Sequence, residues 1–320
     1  MAFNGSLDDE YMWYQKYRPQ TLSDIILPKN IRQEIQMYIN RGQLPHLLFV
    51  SPLPGIGKST LANLITEEMQ ADFIELNSSD DNGISTVRNI LKPFATRESL
   101  FGDGPKIAWL DEFDGTSQDF QKAFRSLMEK YSDNVSIIAT ANYQTKIIPA
   151  VVDRFTVIDF NFKTPSIKNE MLPQMIKRVF NILESENVEY DEEAVMLFVD
   201  ANFPSFRTVL KGLQRYSEGH GGVIDRGILT MNVLDTTFFS YIMEGNFTAA
   251  REWIFKNDIP IDITYTELYN RLLPKIEDKS KYAPALIKIN QHQIWHGQSI
   301  NPELNFLALL MELCLIMKSK

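Results

Sequence analysis

Nine consecutive residues, Pro52-Leu53-Pro54-Gly55-Ile56-Gly57-Lys58-Ser59-Thr60, combine the groups that hold a chain of phosphates. Glycines at 55 and 57, either side of Ile56, let backbone N–H groups turn toward phosphate oxygens, and a helix starting at Lys58 aims its positive end at the same place. The Lys58 ammonium can reach the outer phosphates. The hydroxyl of Ser59, with Thr60 next to it, is a Mg²⁺ ligand type. The common pattern G-x-x-x-x-G-K-[ST] has glycine where this chain has Pro52, so the loop enters with φ fixed at about −65° while the cradle is kept. Further on, the apolar run Ile107-Ala108-Trp109-Leu110 ends in Asp111-Glu112. Two carboxylates at the end of a strand divide the work of hydrolysis: Asp111 holds the metal shell and Glu112 polarises the attacking water. A strand ending in acids is common by itself, but its place after the phosphate loop makes the pair a nucleoside triphosphatase signature.

These groups need a parallel sheet to present them. Short apolar runs at 47–51, 73–77, 106–111, 135–141 and 156–161 read as strands covered on both faces, alternating with helices at 58–70, 84–96 and 118–131. Beyond Lys163-Thr164-Pro165 the strand signals fade and amphipathic helices take over, punctuated by Asn202-Phe203-Pro204 and by Gly219-His220-Gly221-Gly222, which reads as the best interdomain hinge. With 320 residues, one core is improbable. The expected division is an α/β nucleotide-binding domain over 1–162, a helical lid over 163–230 and a helical C-terminal domain over 231–320.

The balance of 32 Lys and Arg against 41 Asp and Glu, a net charge of −9, excludes coating nucleic acid by bulk charge, so any DNA contact must be local. A single cysteine, Cys314, excludes an internal disulfide and fits a reducing compartment. The N-terminal stretch, acidic at Asp8, Asp9 and Glu10, lacks the pattern of a signal peptide, and the longest apolar run, 306–317, falls short of a membrane span, so cytosol and no membrane are expected. His292 and His296 stand at i and i+4, but Gln293 occupies the place of a zincin's catalytic glutamate, so packing or surface histidines are expected rather than a metal site.

Further motifs follow in collinear order: Lys16-Tyr17-Arg18-Pro19, Asn77-Ser78-Ser79-Asp80, Asn142 after the strand at 136–141, Ile147-Ile148-Pro149, Asp153-Arg154-Phe155 and Phe203-Pro204-Ser205-Phe206-Arg207. Together with the phosphate loop and Asp111-Glu112 they resemble the AAA+ clamp-loader ATPases through about 230 residues, the large subunits of T-even-type phage loaders more than the small subunits of replication factor C. The resemblance implies an AAA+ P-loop domain, a helical lid and an all-α collar that supports oligomer contacts. It implies ATP and Mg²⁺ as ligands, with adenine held by Tyr14, Gln15, Lys16, Tyr17 and Ile26. By the same resemblance Asn142 is sensor 1, Arg207 is sensor 2, and Arg154 is an arginine finger serving a neighbouring subunit, with the adjacent Asp153 able to pair with it.

Gln121 and Arg125 match a helix that couples DNA contact to the catalytic glutamate, although any exposed helix carries such residues. Ser85, Thr86 and Arg88 match the phosphate-tracking start of a helix, and capping of that helix by Ser85 stands beside this reading. The implied partners are copies of the same chain, one different small loader subunit, a sliding clamp and primer-template DNA, in host cytoplasm if the source is viral. ATP binding would open and hold the clamp, and DNA would trigger hydrolysis and release. Two alternatives remain open from the sequence: another AAA+ DNA motor such as a branch-migration ATPase, and a nucleotide-binding scaffold that does not hydrolyse.

Overall fold

The computed structural model describes residues 11–78, 82–98, 104–230, 236–256, 264–265, 267–297, 299 and 301–319. Asp8, Asp9 and Glu10, and Ser79 and Asp80 of the Asn77 motif, lie outside the described residues.

The chain divides into two compact units, Met1–Asp225 and Arg226–Lys320. In the first, a short turn at Trp13–Lys16 and helix α1 (Lys29–Arg41) precede β1 (Leu47–Val50), α2 (Lys58–Glu68) and β2 (Asp72–Asn77). A helix α3 follows in three continuous pieces, Ile84–Thr86, Val87–Leu91 and Lys92–Thr96, the middle one π-helical. Pro93 explains the widened turn: it has no N–H to continue the ladder and its ring would clash with an ordinary turn. The same device recurs in the second unit, where the π-helical stretch Leu268–Leu272 precedes Pro274. Next come β3 (Lys106–Asp111), α4 (Gln118–Tyr131), β4 (Ser136–Ala141), the short α5 (Pro149–Val152) and β5 (Thr156–Asp159).

The five strands form one parallel sheet in the order β2-β3-β4-β1-β5. Both faces are covered, as expected for strands that are apolar throughout. One face carries Leu47, Phe49, Ile107, Trp109, Ile138 and Ile158 against α1 and α2 residues such as Ile35, Leu61 and Ile65. The other carries Leu48, Ala108, Leu110, Ile137 and Ala139 against Phe94, Phe120, Phe124 and Met128. Because β1 lies between β4 and β5 while β3 lies beyond β4, the carboxyl ends of β1, β3 and β4 open onto one edge, where ligands of such sheets bind.

The lid begins with α6 (Pro165–Ser185) and continues through β6 (Glu189–Tyr190), α7 (Glu192–Asn202), α8 (Phe206–Gly219) and β7 (Val223–Ile224). The two short strands pair in parallel, a feature the fading strand signals did not announce. Their pairing corrects the expected hinge. Gly221 and Gly222 have φ of 65° and 85° and turn the chain so that the Gly222 carbonyl accepts from the Glu189 N–H at 3.0 Å, within the first unit. The division between units falls after Asp225 instead.

The second unit is helical: α9 (Thr236–Met243), α10 (Phe247–Lys256), α11 (Lys279–His296) and α12 (Pro302–Lys318) enclose Phe238, Ile242, Ile289, Phe306, Leu310 and Leu313. Cys314 is buried there among apolar residues, and burial pushes its thiol up to about 11, which makes it an inert packing residue. His292 is buried between Asn305 and Glu312, at 2.8 and 3.2 Å, and no metal-holding cluster exists among the described residues. No helix among them is long and apolar enough to cross a membrane.

Candidate functional site

The loop between β1 and α2 closes as its glycines demand. Gly55 and Gly57 have φ of 72° and 97°, conformations that other residues adopt only with strain. A side chain at Gly55 would also collide with Arg207 Cβ at 2.5 Å, and one at Gly57 would press on Ile25 at 3.4 Å. Ile56, between them, is buried and anchors the loop to the core. Lys58, itself buried, spends its ammonium protons on this turn and the end of β4: it donates to Ser51 O at 2.8 Å, Leu53 O at 3.2 Å and Asn142 Oδ1 at 3.0 Å. Burial lowers its pKa from the ordinary lysine value, against the pull of Asp111 and Asp114. Ser59 donates to Asp111 Oδ1 at 2.9 Å, while Thr60 is half-buried on the same turn.

On β3 the acidic pair is held by its neighbours. Thr140 of β4 donates to Asp111 Oδ1 at 2.5 Å and accepts the Glu112 N–H at 3.1 Å. Glu112 has φ of 54°, one of three non-glycine residues with positive φ among the described residues, and this bend lifts it out of the strand into the turn Phe113–Gly115. Phe113 fixes that turn by burying itself against Phe120, Phe124 and Phe155 at ring distances of 5.2–6.2 Å. Asp114 then reaches across to β4, accepting the Asn142 N–H at 3.1 Å and the Tyr143 N–H at 3.2 Å. The backbone of Asn142 is thereby clamped while its side chain faces Lys58.

The hydroxyl of Ser59 and the carboxylate of Asp111 form an oxygen-only pair suited to a hard cation such as Mg²⁺, beside an ammonium already seated in a phosphate-sized turn. The residues present therefore fit a metal–nucleotide ligand.

The lid supplies a wall. Ser205 Oγ donates to Pro54 O at 3.0 Å, and the Arg207 N–H donates to Gly55 O at 3.3 Å, so the start of α8 rests on the phosphate loop. The Arg207 guanidinium lies 5.8 Å from the Tyr14 ring, and Lys211 lies 4.8 Å from it. The turn bearing Tyr14 and Gln15 is tied to the lid by Gln214, which accepts the Trp13 N–H and donates to Tyr11 O, both at 2.9 Å. Lys16 and Tyr17 both bond Glu186, at 2.7 and 2.5 Å. Ile26 is half-buried in the core, but the residue seated against Gly57 is its neighbour Ile25, which the sequence reading passed over.

Two expectations need correction. Gln121 is not on an exposed face: it is 1% exposed, donates to Thr116 O and Lys146 O at 3.4 and 3.2 Å, and accepts the Ile148 N–H at 2.8 Å. It thus ties the start of α4 to the segment after Asn142, a bridge that sequence cannot announce because it spans two loops. Arg154 pairs not with Asp153 but with Glu129 on α4 and with the Ala150 carbonyl. Glu129 also pairs with Arg125 at 3.3 Å, because the i, i+4 spacing puts them on one helix face. None of these bonds connects Arg154 to the phosphate loop of its own chain.

At the start of α3, Gly83 is the cap residue without any side-chain capping bond, so Ser85 does not cap the helix. Ser85 and Arg88 are exposed, whereas Thr86 is buried and contributes packing.

This arrangement of phosphate turn, paired carboxylates, an asparagine facing the lysine and an arginine at the lid on a five-stranded parallel sheet is that of an AAA+ ATPase, and residues 47–162 match the family model described as "ATPase family associated with various cellular activities". Residues 168–230 match the lid domain of the sliding-clamp-loader large subunit. The chain belongs to the family of sliding-clamp-loader large subunits. It is 32% identical to that of Escherichia phage RB69 over 95% of this chain and 96% of the relative, and 31% identical to that of Enterobacteria phage T4 over 98% of both. The replication factor C small subunit of Natronomonas pharaonis is more distant in extent, 35% identical over 75% of this chain and 74% of its own. Among solved structures, the Thermotoga maritima RuvB Holliday junction branch migration motor superposes with a TM-score of 0.56 at 18% identity, covering 81% of this chain and 91% of that one, a likeness of fold. The chain is accordingly an ATP hydrolase of clamp-loader type.

Proposed function

We propose that this chain is the ATP-driven subunit of a loader that opens a sliding clamp, holds it, and releases it onto primer-template DNA when ATP is hydrolysed. The observation that carries the reading is the meeting of Lys58, Ser59, Asp111 and Asn142 at one sheet edge, under a lid matching that of the loader family. In this reading the Gly55-Ile56-Gly57 backbone and Lys58 bind the phosphates, Ser59 and Asp111 hold Mg²⁺, and Tyr14 to Tyr17 with Ile25 and Ile26 border the base. When bound, the metal neutralises charge on the phosphates and orients them for in-line attack. Glu112, bent out of β3, orients the attacking water and accepts its proton. Asn142, released by Lys58 when phosphate takes the ammonium, faces the same water. Arg207 touches the nucleotide from the lid, and Arg154 reaches a neighbouring subunit's site.

Gln121 and Arg125 relay DNA contact toward the turn that carries Glu112, the buried bridge of Gln121 supporting that role. Ser85 and Arg88 meet template phosphates. The first unit comprises the ATPase domain and lid, the second acts as a collar, and the assembly contains several copies of this chain with one different small subunit, in host cytoplasm. The branch-migration alternative rests on fold alone.

The test is steady-state ATP hydrolysis by this chain co-expressed with its small partner, with and without clamp and primer-template DNA. Stimulation by the two together is expected. Turnover indifferent to the clamp in a verified complex would overturn the loader reading, and failure of that complex to hydrolyse at all would leave the scaffold alternative.

A further inference from the structure

Thr140 stands out as a polar side chain in the buried middle of the sheet, 2% exposed, in the run Ala139-Thr140-Ala141. Its strand places it beside Phe49 of β1 on one side and the end of β3 on the other. A hydroxyl owns a single proton. Here that proton goes to Asp111 Oδ1 at 2.5 Å, which commits the oxygen's lone pairs to the Glu112 N–H at 3.1 Å. The same Asp111 oxygen accepts Ser59 Oγ at 2.9 Å. One side chain therefore fixes the carboxylate nearest the metal position and the backbone of the carboxylate meant for water.

The second bond matters most where the backbone is least comfortable. Glu112 sits at φ 54°, which a glutamate leaves readily when nothing restrains it. Its N–H, at the start of that bend, is held by Thr140, while its carbonyl accepts the Gly115 N–H at 2.8 Å on the other side. β-Branching makes the threonine rotamer stiff, so the hydroxyl is itself fixed by the strand.

We propose that Thr140 is a positioning residue for ATP hydrolysis, setting Asp111 and the left-handed bend of Glu112 through one hydroxyl. It acts through these carboxylates and does not itself reach the nucleotide. The inference rests on the roles given above to Asp111 and Glu112, and Glu112→Gln serves as the control that separates the two.

The experiment compares Thr140→Val, isosteric but without the hydroxyl, with Thr140→Ser, which retains it, in the full chain assembled with its small partner. Three readouts are taken: hydrogen exchange at the Glu112 amide without nucleotide, affinity for a fluorescent ADP analogue in Mg²⁺ and in EDTA, and kcat and KM for stimulated hydrolysis. For Thr140→Val we expect faster exchange at Glu112, a smaller Mg²⁺-dependent gain in affinity, and kcat lower by about 10- to 100-fold with KM changed less than about threefold. Thr140→Ser should restore all three. Parental kcat and an equally protected Glu112 amide in Thr140→Val would overturn the proposal. So would a serine variant as slow as the valine one, or EDTA-state affinity falling in step with kcat and the melting temperature, which would assign Thr140 to folding. If Glu112→Gln itself hydrolyses ATP normally, the failure belongs to the role assigned to Glu112.

Discussion

The edge of the sheet at β1, β3 and β4 and the corner around Arg154 use the same chemistry to opposite ends. At the edge, Lys58 bonds Asn142 while Ser59 and Thr140 bond Asp111, so the groups proposed to face a nucleotide are held in place before one arrives. At the corner, Arg154 is tied to Glu129, which Arg125 shares, and to the Ala150 carbonyl, none of which belongs to the chain's own phosphate loop. In the proposed reading, a site completed within the chain is preorganised by short contacts, while an arginine that serves another subunit is kept folded against its own helix by Glu129. Glu129 and Arg154 are both partly exposed, so their pair is weak enough to be exchanged.

The sharpest way to break this contrast is Arg154→Ala. In the assembled loader it should lower stimulated hydrolysis by about 10³-fold or more while leaving nucleotide affinity of the single chain unchanged, measured by fluorescent nucleotide titration. Glu112→Gln should cost about 10²- to 10³-fold in the same assay, again with nucleotide retained, because it removes the water's acceptor from a site otherwise intact. Gln121→Leu strands the Ile148 N–H and two carbonyls in the interior; a loss of about 1–3 kcal/mol in chemical denaturation is expected, together with weakened DNA stimulation. The smallest effect should come from Glu129→Gln, which frees Arg154 at a partly exposed pair: hydrolysis by the assembled complex should change by less than about threefold, and its dependence on salt should flatten.

Legibility followed the range of the physics involved. Gly55, Gly57, Lys58, Ser59, Asp111 and Glu112 could be picked out because each requirement, whether positive φ, a cation at a helix start or acids at a strand end, is written in residue type and local spacing. The strands were legible for the same reason, as apolar runs of the right length. Thr140, Asp114 and the burial of Gln121 were not, because they depend on which strand lies beside which. The register that sets Thr140 against Asp111 exists only once β4 has paired with β3. That Ile25 rather than Ile26 lies against Gly57 was not legible either, since two adjacent isoleucines look alike until one faces the loop. Asp153, the acid next to Arg154, was the natural partner in sequence, yet α4 brings Glu129 to it in space.

The central claim, that the site is complete within each chain except for an arginine supplied by a neighbour, is tested most directly by complementation. Glu112→Gln and Arg154→Ala chains, each assembled alone with the small partner, should be nearly inactive. Mixed in one assembly, an intact Arg154 from the first should meet an intact Glu112 in the second, and hydrolysis should rise well above the sum of the separate rates. A mixed complex, verified to contain both chains, that stays at that sum would contradict the account.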